Sequence, residues 1–389
     1  MSRTLSNQSY TKTYYSVPLK VAVIVGSISL FLFSIDLMGL SIGLMTSDFT
    51  SQISQVTSNP FVGLFIGLVA TALLQSSSTT TSIAVAAVAS GAISLQNSIP
   101  IVLGANIGTT ITSTIISMSY ISKSKEFRKA IAAGTSHDFF NILTVIVLLP
   151  LESRYHLLER SSSYISSFFH KDNFISYTGE TGFEFFSVFD FINQFIVGFT
   201  GPIIGLLLAA LILFGCIKLI SKWLYTMLIG TTKDRLENVV FKTKMRSFGW
   251  GLVLTSVAQS SSLTTSLIVP LVATSKVKIK RAFQFILGAN LGTTITALLA
   301  ALFQSEAAIS LAIVHLLFNL IGVVIFLFIP FTSNLPVYLA KKFGRMTVKA
   351  RIIGFAYILV AFFLLPFTLI YLTKTSDKPV STTEIHLKE

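Results

Sequence analysis

Residues 73–82 read LLQSSSTTTS, eight hydroxyl- or amide-bearing side chains in a row between GLFIGLVATALL (63–74) and IAVAAVA (83–89). A polar run of that density usually marks a surface loop, yet both flanks are as apolar as a lipid-facing helix. The same letters recur further on. Gln75-Ser-Ser-Ser78 returns as Gln259-Ser-Ser-Ser262, 184 positions later, and LGANIGTTIT (103–112) returns as LGANLGTTIT (287–296) at the same offset. HDFFN (137–141) is answered by HLLFN (315–319), 178 positions on. Three motifs repeated in one order mean an internal duplication.

The chain has 389 residues, of which 52% are hydrophobic and only 12% charged, against about a quarter charged in soluble domains. Runs at 21–44, 200–220, 307–329 and 351–372 each supply the about 20 apolar residues that a membrane-spanning helix needs. The fold class is therefore an all-α polytopic membrane protein. The first run is too long for a signal-peptide core and no small-residue cleavage motif follows it, so it reads as a retained span. Cys216 is the single cysteine, which excludes an internal disulfide. The net charge of +13 raises nucleic acid or anionic lipid as partners, but its distribution has a simpler cause.

Short cytoplasmic loops collect Lys and Arg. Residues 45–59, before the first QSSS, hold none, whereas 231–246 hold Lys233, Arg235, Lys242, Lys244 and Arg246. The loop after the first GAN segment carries Lys123, Lys125, Arg128 and Lys129, while its counterpart FQSEAA (303–308) carries only Glu306. Residues 151–186 are mixed in sign, whereas 341–351 hold five cations. Each pair of loops has the opposite bias, so the halves are expected to be inverted and the positive charge is topological. Both ends of the second QSSS segment are basic, which predicts a re-entrant hairpin entering and leaving on one side. The first copy is expected to be its mirror image, with both tips near the bilayer midplane.

The expected organisation is a cytoplasmic tail (1–18), a first transmembrane repeat (19–150, hairpin about 60–90) and an external loop (151–186). A second, inverted repeat (187–373, hairpin about 247–275) and a polar tail (374–389) follow. The N-terminus is assigned to the cytoplasm and the protein to the cell membrane.

Irregular backbone at membrane depth is tolerated only inside protein or beside a wet cavity. Ser, Thr and Gln can satisfy such a turn, and in one copy that is a sufficient explanation. Two inverted copies meeting at a pseudo-twofold axis leave a polar, uncharged centre. Hydroxyls and amides hold a cation through oxygens and an oxyanion through O–H and N–H donors, and helix ends at broken spans add their dipoles. Asn106, Thr109, Thr110 and their repeats supply further oxygens, while Gly104, Gly108, Gly288 and Gly292 also suit tight helix packing in lipid. Asp138, expected inside the helix 130–150, is an intramembrane carboxylate and hence a candidate cation ligand. Asp36 is its rival, closer to an interface, and Asp190 reads as interfacial. His137 and His315 read as structural hydrogen-bonders, with proton transfer as the other option. With no Lys or Arg midspan, a bound anion has to be held by neutral dipoles and co-bound cations.

QSSS followed by GANIGT, EFRKAIAAGTSHDFFN (126–141) and LLPLE (148–152) resembles the type II sodium–phosphate cotransporters. QSSSLTTS, LGANLGTTITA and HLLFN followed by IPF resemble their second repeat, and the likeness covers roughly 60–152 and 245–372. The resemblance implies uptake of inorganic phosphate driven by sodium, by alternating access around the two tips, with no other cofactor and no transition metal. It places phosphate on Gln75, Ser76, Ser77, Ser78, Gln259, Ser260, Ser261, Ser262, Asn106 and Asn290. Sodium falls to Asp138, Asn141, Thr110, Thr294, Asn106, Asn290, Ser77 and Ser261. The family's electrogenic members carry the Asp of HDxxN, so Asp138 implies a third sodium and net charge movement. The short, Cys-free central loop departs from animal members and suits a bacterial one.

Other transported anions, an oxyanion or a dicarboxylate, fit the same neutral cluster. A membrane phosphate sensor without transport is the alternative from another class, although the chain offers it no sizeable soluble domain. Enzymatic activity is not expected: QSSS has serines but no base placed near them, and no metal-ligand spacing or Gly-Lys phosphate loop occurs.

Overall fold

The computed structural model describes residues 17–45, 47–171, 184–229, 239–302 and 304–376. The described residues are helical and contain no strand. In the first half, α1 (Val17–Gly43), α2 (Ser47–Thr57), α3 (Pro60–Leu74) and α4 (Ser77–Ala89) lead to α5 (Leu95–Gly108), α6 (Ile111–Met118) and α7 (Ser124–Tyr155). Helices α8 (Leu157–Lys171) and α9 (Glu184–Thr200) connect to the second half. That half comprises α10 (Pro202–Ile229), α11 (Lys244–Ala258), α12 (Ser261–Ser266), α13 (Ile268–Ala273), α14 (Ile279–Ala301) and α15 (Glu306–Val323). It ends with α16 (Leu335–Lys349), α17 (Ile352–Leu359), a π-helical turn at Val360–Leu364 and α18 (Leu365–Ser376).

Among the described residues, seven helical segments are long and apolar enough to cross a membrane. They include Val25–Gly43, Pro202–Leu219, Glu306–Phe328 and Ile352–Leu372, where the apolar runs of the sequence lie. The segment 151–186 differs from a plain loop: α7 runs on to Tyr155 and α8 follows. Helix α8 is amphipathic and packs on α15, where the Ser166 and Ser310 hydroxyls meet at 2.8 Å. The residues before the first QSSS also form a helix, α2, bent by 106° from α3.

Two helix pairs dominate the packing, α3 with α5 and α11 with α14, and they are the same pair repeated. The glycines show why the chain needs them. A Cβ on Gly104 would lie 1.8 Å from the Leu64 carbonyl oxygen, and one on Gly67 would lie 1.9 Å from that of Ile101. In the second half, Gly288 and Gly251 meet Phe248 and Phe285 in the same way, at 1.9 and 2.0 Å. These backbones touch directly, so every other residue is excluded there. The equivalent helices α1 and α10 also pack against each other. Cys216 on α10 is a buried free thiol.

Candidate functional site

Each QSSS stretch breaks the chain between two helices. Helix α3 ends at Gln75 (φ 55°, ψ 29°) and α11 at Gln259 (φ 50°, ψ 25°), both in the left-handed region that usually calls for Gly. The Gln75 and Gln259 N–H groups each close on the carbonyl of a threonine one turn back, Thr71 and Thr255, at 2.7 Å. Next comes an extended serine at the N-cap of the returning helix. Ser76 Oγ accepts from the Thr79 N–H at 3.2 Å, and Ser260 Oγ from the Leu263 N–H at 3.3 Å. Ser and Thr are the residues that satisfy such open N–H groups, so the serines follow from the helix break itself.

The two tips touch. Ser78 Oγ donates to the Gln259 carbonyl at 3.3 Å, and Ser262 Oγ donates to the Gln75 carbonyl at 3.4 Å. Ser78 Oγ also lies 3.4 Å from the Thr293 hydroxyl. Ser77, Ser78 and Ser261 are buried, and so is Gln259 at 7% exposure, whereas Gln75 is exposed. The N-termini of α4 and of the broken helix α12–α13 thus sit where the tips meet, their open N–H groups favouring an anion.

Behind the tips lies a fully buried amide–imidazole network. His137 Nε2 is 2.5 Å from Asn290 Oδ1, and Asn290 Nδ2 donates to Asn141 Oδ1 at 2.9 Å. Reciprocally, His315 Nε2 is 3.3 Å from Asn106 Oδ1, and Asn319 Nδ2 donates to the same oxygen at 3.1 Å. Asn141 Nδ2 donates to the Asn106 carbonyl at 2.7 Å. Each histidine therefore holds the asparagine of the opposite half. Because the Asn290 and Asn106 amide nitrogens are occupied as donors, toward Asn141 and the Val102 carbonyl, their oxygens accept and both imidazoles carry the proton on Nε2.

Asp138 is fully buried. Its carboxylate accepts from the Tyr357 hydroxyl at 2.9 Å and from the Thr114 hydroxyl at 3.1 Å. Thr110, one turn before Thr114 on the same helical face, donates its hydroxyl to the Ile107 carbonyl at 2.8 Å instead. Thr294 is buried, with its hydroxyl donating to the Leu291 carbonyl at 2.7 Å. Asp36 is bound instead by Gln304 Nε2 at 2.8 Å, and Asp190 is exposed. The structure thus brings the two QSSS tips together, groups Asn106, Asn141 and Asn290 in one network, and sets Asp138 in a pocket of hydroxyls.

Thr114, Tyr357 and Asn319 are the partners that sequence reasoning missed, whereas Thr293, the repeat of Thr109, is among the expected oxygens. Thr110, Thr114 and Ser117 fall on one face at helical spacing, a legible stripe of hydroxyls. Tyr357 is the first Tyr of the apolar run 351–372, and a buried phenol needs a partner. Among the described residues, one carboxylate–imidazole cluster lies apart from this centre: Glu152, His156 and Glu159 at the α7–α8 junction. There Glu152 accepts from the Leu158 and Glu159 N–H groups and so caps α8.

The family model for the Na+/Pi-cotransporter matches residues 30–149 and 211–369. Sodium-dependent phosphate transport protein 2B of Homo sapiens is 30% identical over 90% of this chain and 64% of its own length. Sodium-dependent phosphate transport protein 2A of Rattus norvegicus is 31% identical over 90% of this chain and 67% of its own. The chain thus spans about two thirds of the length of these relatives. No solved structure matches it. It is a multi-pass membrane protein, and it belongs to the Na+/Pi-cotransporter family.

Proposed function

We propose that this chain imports inorganic phosphate together with sodium ions, by alternating access around a midplane site formed by the two QSSS tips. The observation that carries the reading is the reciprocal contact of Ser78 with Gln259 and of Ser262 with Gln75. Exchanged contacts between equivalent residues are what a twofold axis produces. With the opposed loop charges, they support two inverted repeats, each bearing a re-entrant hairpin. Hydroxyls and helix N-termini at the contact suit an oxyanion, and carbonyls and amide oxygens suit an alkali ion. Gln75, Ser76 to Ser78, Gln259 and Ser260 to Ser262 are the phosphate ligands in this reading, with Asn106 and Asn290 beside them. Ser77, Ser261, Thr110, Thr294, Asn141 and Asp138 serve sodium. The unequal burial of Gln75 and Gln259 favours a centre open on one side at a time.

Coupling to sodium is energetically sound. A tenfold sodium gradient supplies about 1.4 kcal/mol, and 100 mV adds about 2.3 kcal/mol per charge. Each sodium then contributes about 3.7 kcal/mol, against about 4.6 for bringing in a dianion. Two sodiums leave about 2.8 kcal/mol, roughly hundredfold accumulation, and three leave about 6.5. The carboxylate of Asp138 is the group proposed to hold the third ion and make transport electrogenic.

Radiolabelled phosphate uptake into proteoliposomes tests this, with sodium or potassium outside and with or without an inside-negative potential. Sodium-dependent uptake that grows with the potential is expected. Uptake indifferent to sodium overturns the symporter. Competition by arsenate but not by sulfate or succinate is expected of a phosphate site, and the reverse order would reassign the anion.

A further inference from the structure

Two cavities lie at equivalent places in the two halves. One, about 470 Å³, is lined by Gly91, Ser94, Leu95 and Ala307 among others and contains no charged side chain. The other, about 600 Å³, is lined by Arg128, Lys129, Lys278, Lys280, Lys341 and Arg345 and contains no acidic one. Gly91, Ser94 and Leu95 stand 184 positions before Ser275, Lys278 and Ile279, which line the second cavity, and Ala307 stands 178 after Lys129. The backbone matches as well, with positive φ at Gly91 (76°) and Ser275 (66°). The fold therefore makes the cavity twice and charges it once.

Loop bias toward the cytoplasm accounts for cations on that side. It does not require six from three separate segments to converge on one space. Nor does it account for the helix ends. Beside the uncharged cavity, Ser94 caps α5 through the Asn97 N–H at 3.2 Å, and Ser305 caps α15 through the Ala308 N–H at 3.4 Å. Beside the charged cavity, Lys278 occupies the N-cap of α14 and its side chain makes no capping bond. Cations at a helix N-terminus oppose the dipole. Among the described residues no ion pair involves any of the six. An uncapped helix end bearing Lys278 and six cations without an ion pair around one space ask for the same ligand, a multiply charged anion. Phosphate oxygens suit both the Arg fork and the Lys point charges.

We propose that the basic cavity between α7, α14 and α16 binds a polyphosphorylated anion. Such a ligand would tie α7 of the first half to α14 and α16 of the second. The Lys129 Nζ–Ser275 Oγ hydrogen bond already joins α7 to the turn before α14 there. The phosphates belong either to a soluble polyphosphate or to a lipid headgroup.

The test uses the full chain reconstituted in phosphatidylcholine nanodiscs. Calorimetric titration with inorganic tripolyphosphate reads the soluble source, and nanodiscs doped with a doubly phosphorylated inositol lipid, read by thermal shift, report the lipid source. Lys129→Ala and Lys278→Ser take the residues of the uncharged mate, which this backbone accommodates, and Arg345→Gln removes a third charge. The triple variant is expected to bind about tenfold more weakly or worse and to lose most of its salt dependence. Lys125→Ala, outside the cavity, is expected to bind as the parent does. Binding of tripolyphosphate alone or of the lipid alone identifies the source and supports the site. No saturable response to either probe, or equal response of parent and triple variant, overturns it.

Discussion

Ser78 Oγ reaches the backbone carbonyl of Gln259 at 3.3 Å, and the residue 184 positions on, Ser262, returns the bond to the carbonyl of Gln75 at 3.4 Å. The tips hold each other through backbone oxygens, which leaves both glutamine amides out of the contact. Carbonyls at a left-handed residue that ends a helix have no intrahelical partner, so each is free to accept from the opposite half. The two helix breaks are thereby tied to one another.

Gln75 and Gln259 separate backbone from side chain. Their left-handed φ is one that Gly adopts without penalty. Gln259→Gly is therefore expected to keep or raise thermal stability, by up to about 1 kcal/mol, while uptake falls to near background. Gln259→Ala should lose uptake with membrane expression intact. Thermal unfolding in detergent and uptake on the same preparations check both, and robust transport by either variant removes the glutamine amide from the site.

Gly104 and Gly288 carry the opposite prediction. A Cβ at either strikes backbone below 2 Å, and neither helix can shift without dragging its hairpin. Gly104→Ala and Gly288→Ala are expected to cost about 3 kcal/mol or more and to lower the yield of folded protein. Gly215→Ala and Gly249→Ala meet nothing within 4 Å and should express as the parent does. Fluorescence size-exclusion profiles distinguish the two pairs.

Much of this architecture is legible in the letters because duplication writes it twice. The repeated QSSS, GAN and HxxFN motifs pointed to the two helix breaks and to residues of the amide network, and the long apolar runs gave several of the spans. What the letters withheld is pairing across the halves. Nothing in the spacing of HDFFN tells His137 to seek Asn290 rather than Asn106, since that choice depends on how the halves pack. Tyr357 was hidden for the same reason, 219 positions from the carboxylate it meets. Helix α8 was missed because its mixed charge reads as a loop until one side is seen to pack on α15.

The crossed histidine–asparagine pairs should be energetically coupled. His137→Ala and Asn290→Ala each break the 2.5 Å contact, so the double variant is expected to cost less than their sum, by about 1 kcal/mol. His137 with Asn106, which share no hydrogen bond, should be additive. A double-mutant cycle on thermal stability decides it, and additivity in the first pair would make the network incidental.

Asp138 and Tyr357 bear on charge movement. The carboxylate is buried with two hydroxyls bonded to it and no cation beside it among the described residues, which leaves room in its bonding for the proposed sodium ion. Asp138→Ala is expected to abolish the uptake current while leaving sodium-dependent, voltage-insensitive uptake. Tyr357→Phe keeps the charge but removes one hydrogen bond of about 1–2 kcal/mol, so half-saturation for sodium should rise several-fold with the current retained. Current and tracer flux are measured on the same variant. Parent-like current in Asp138→Ala would return the residue to a structural role, and a Tyr357→Phe current unchanged in its sodium dependence would separate the phenol from the ion.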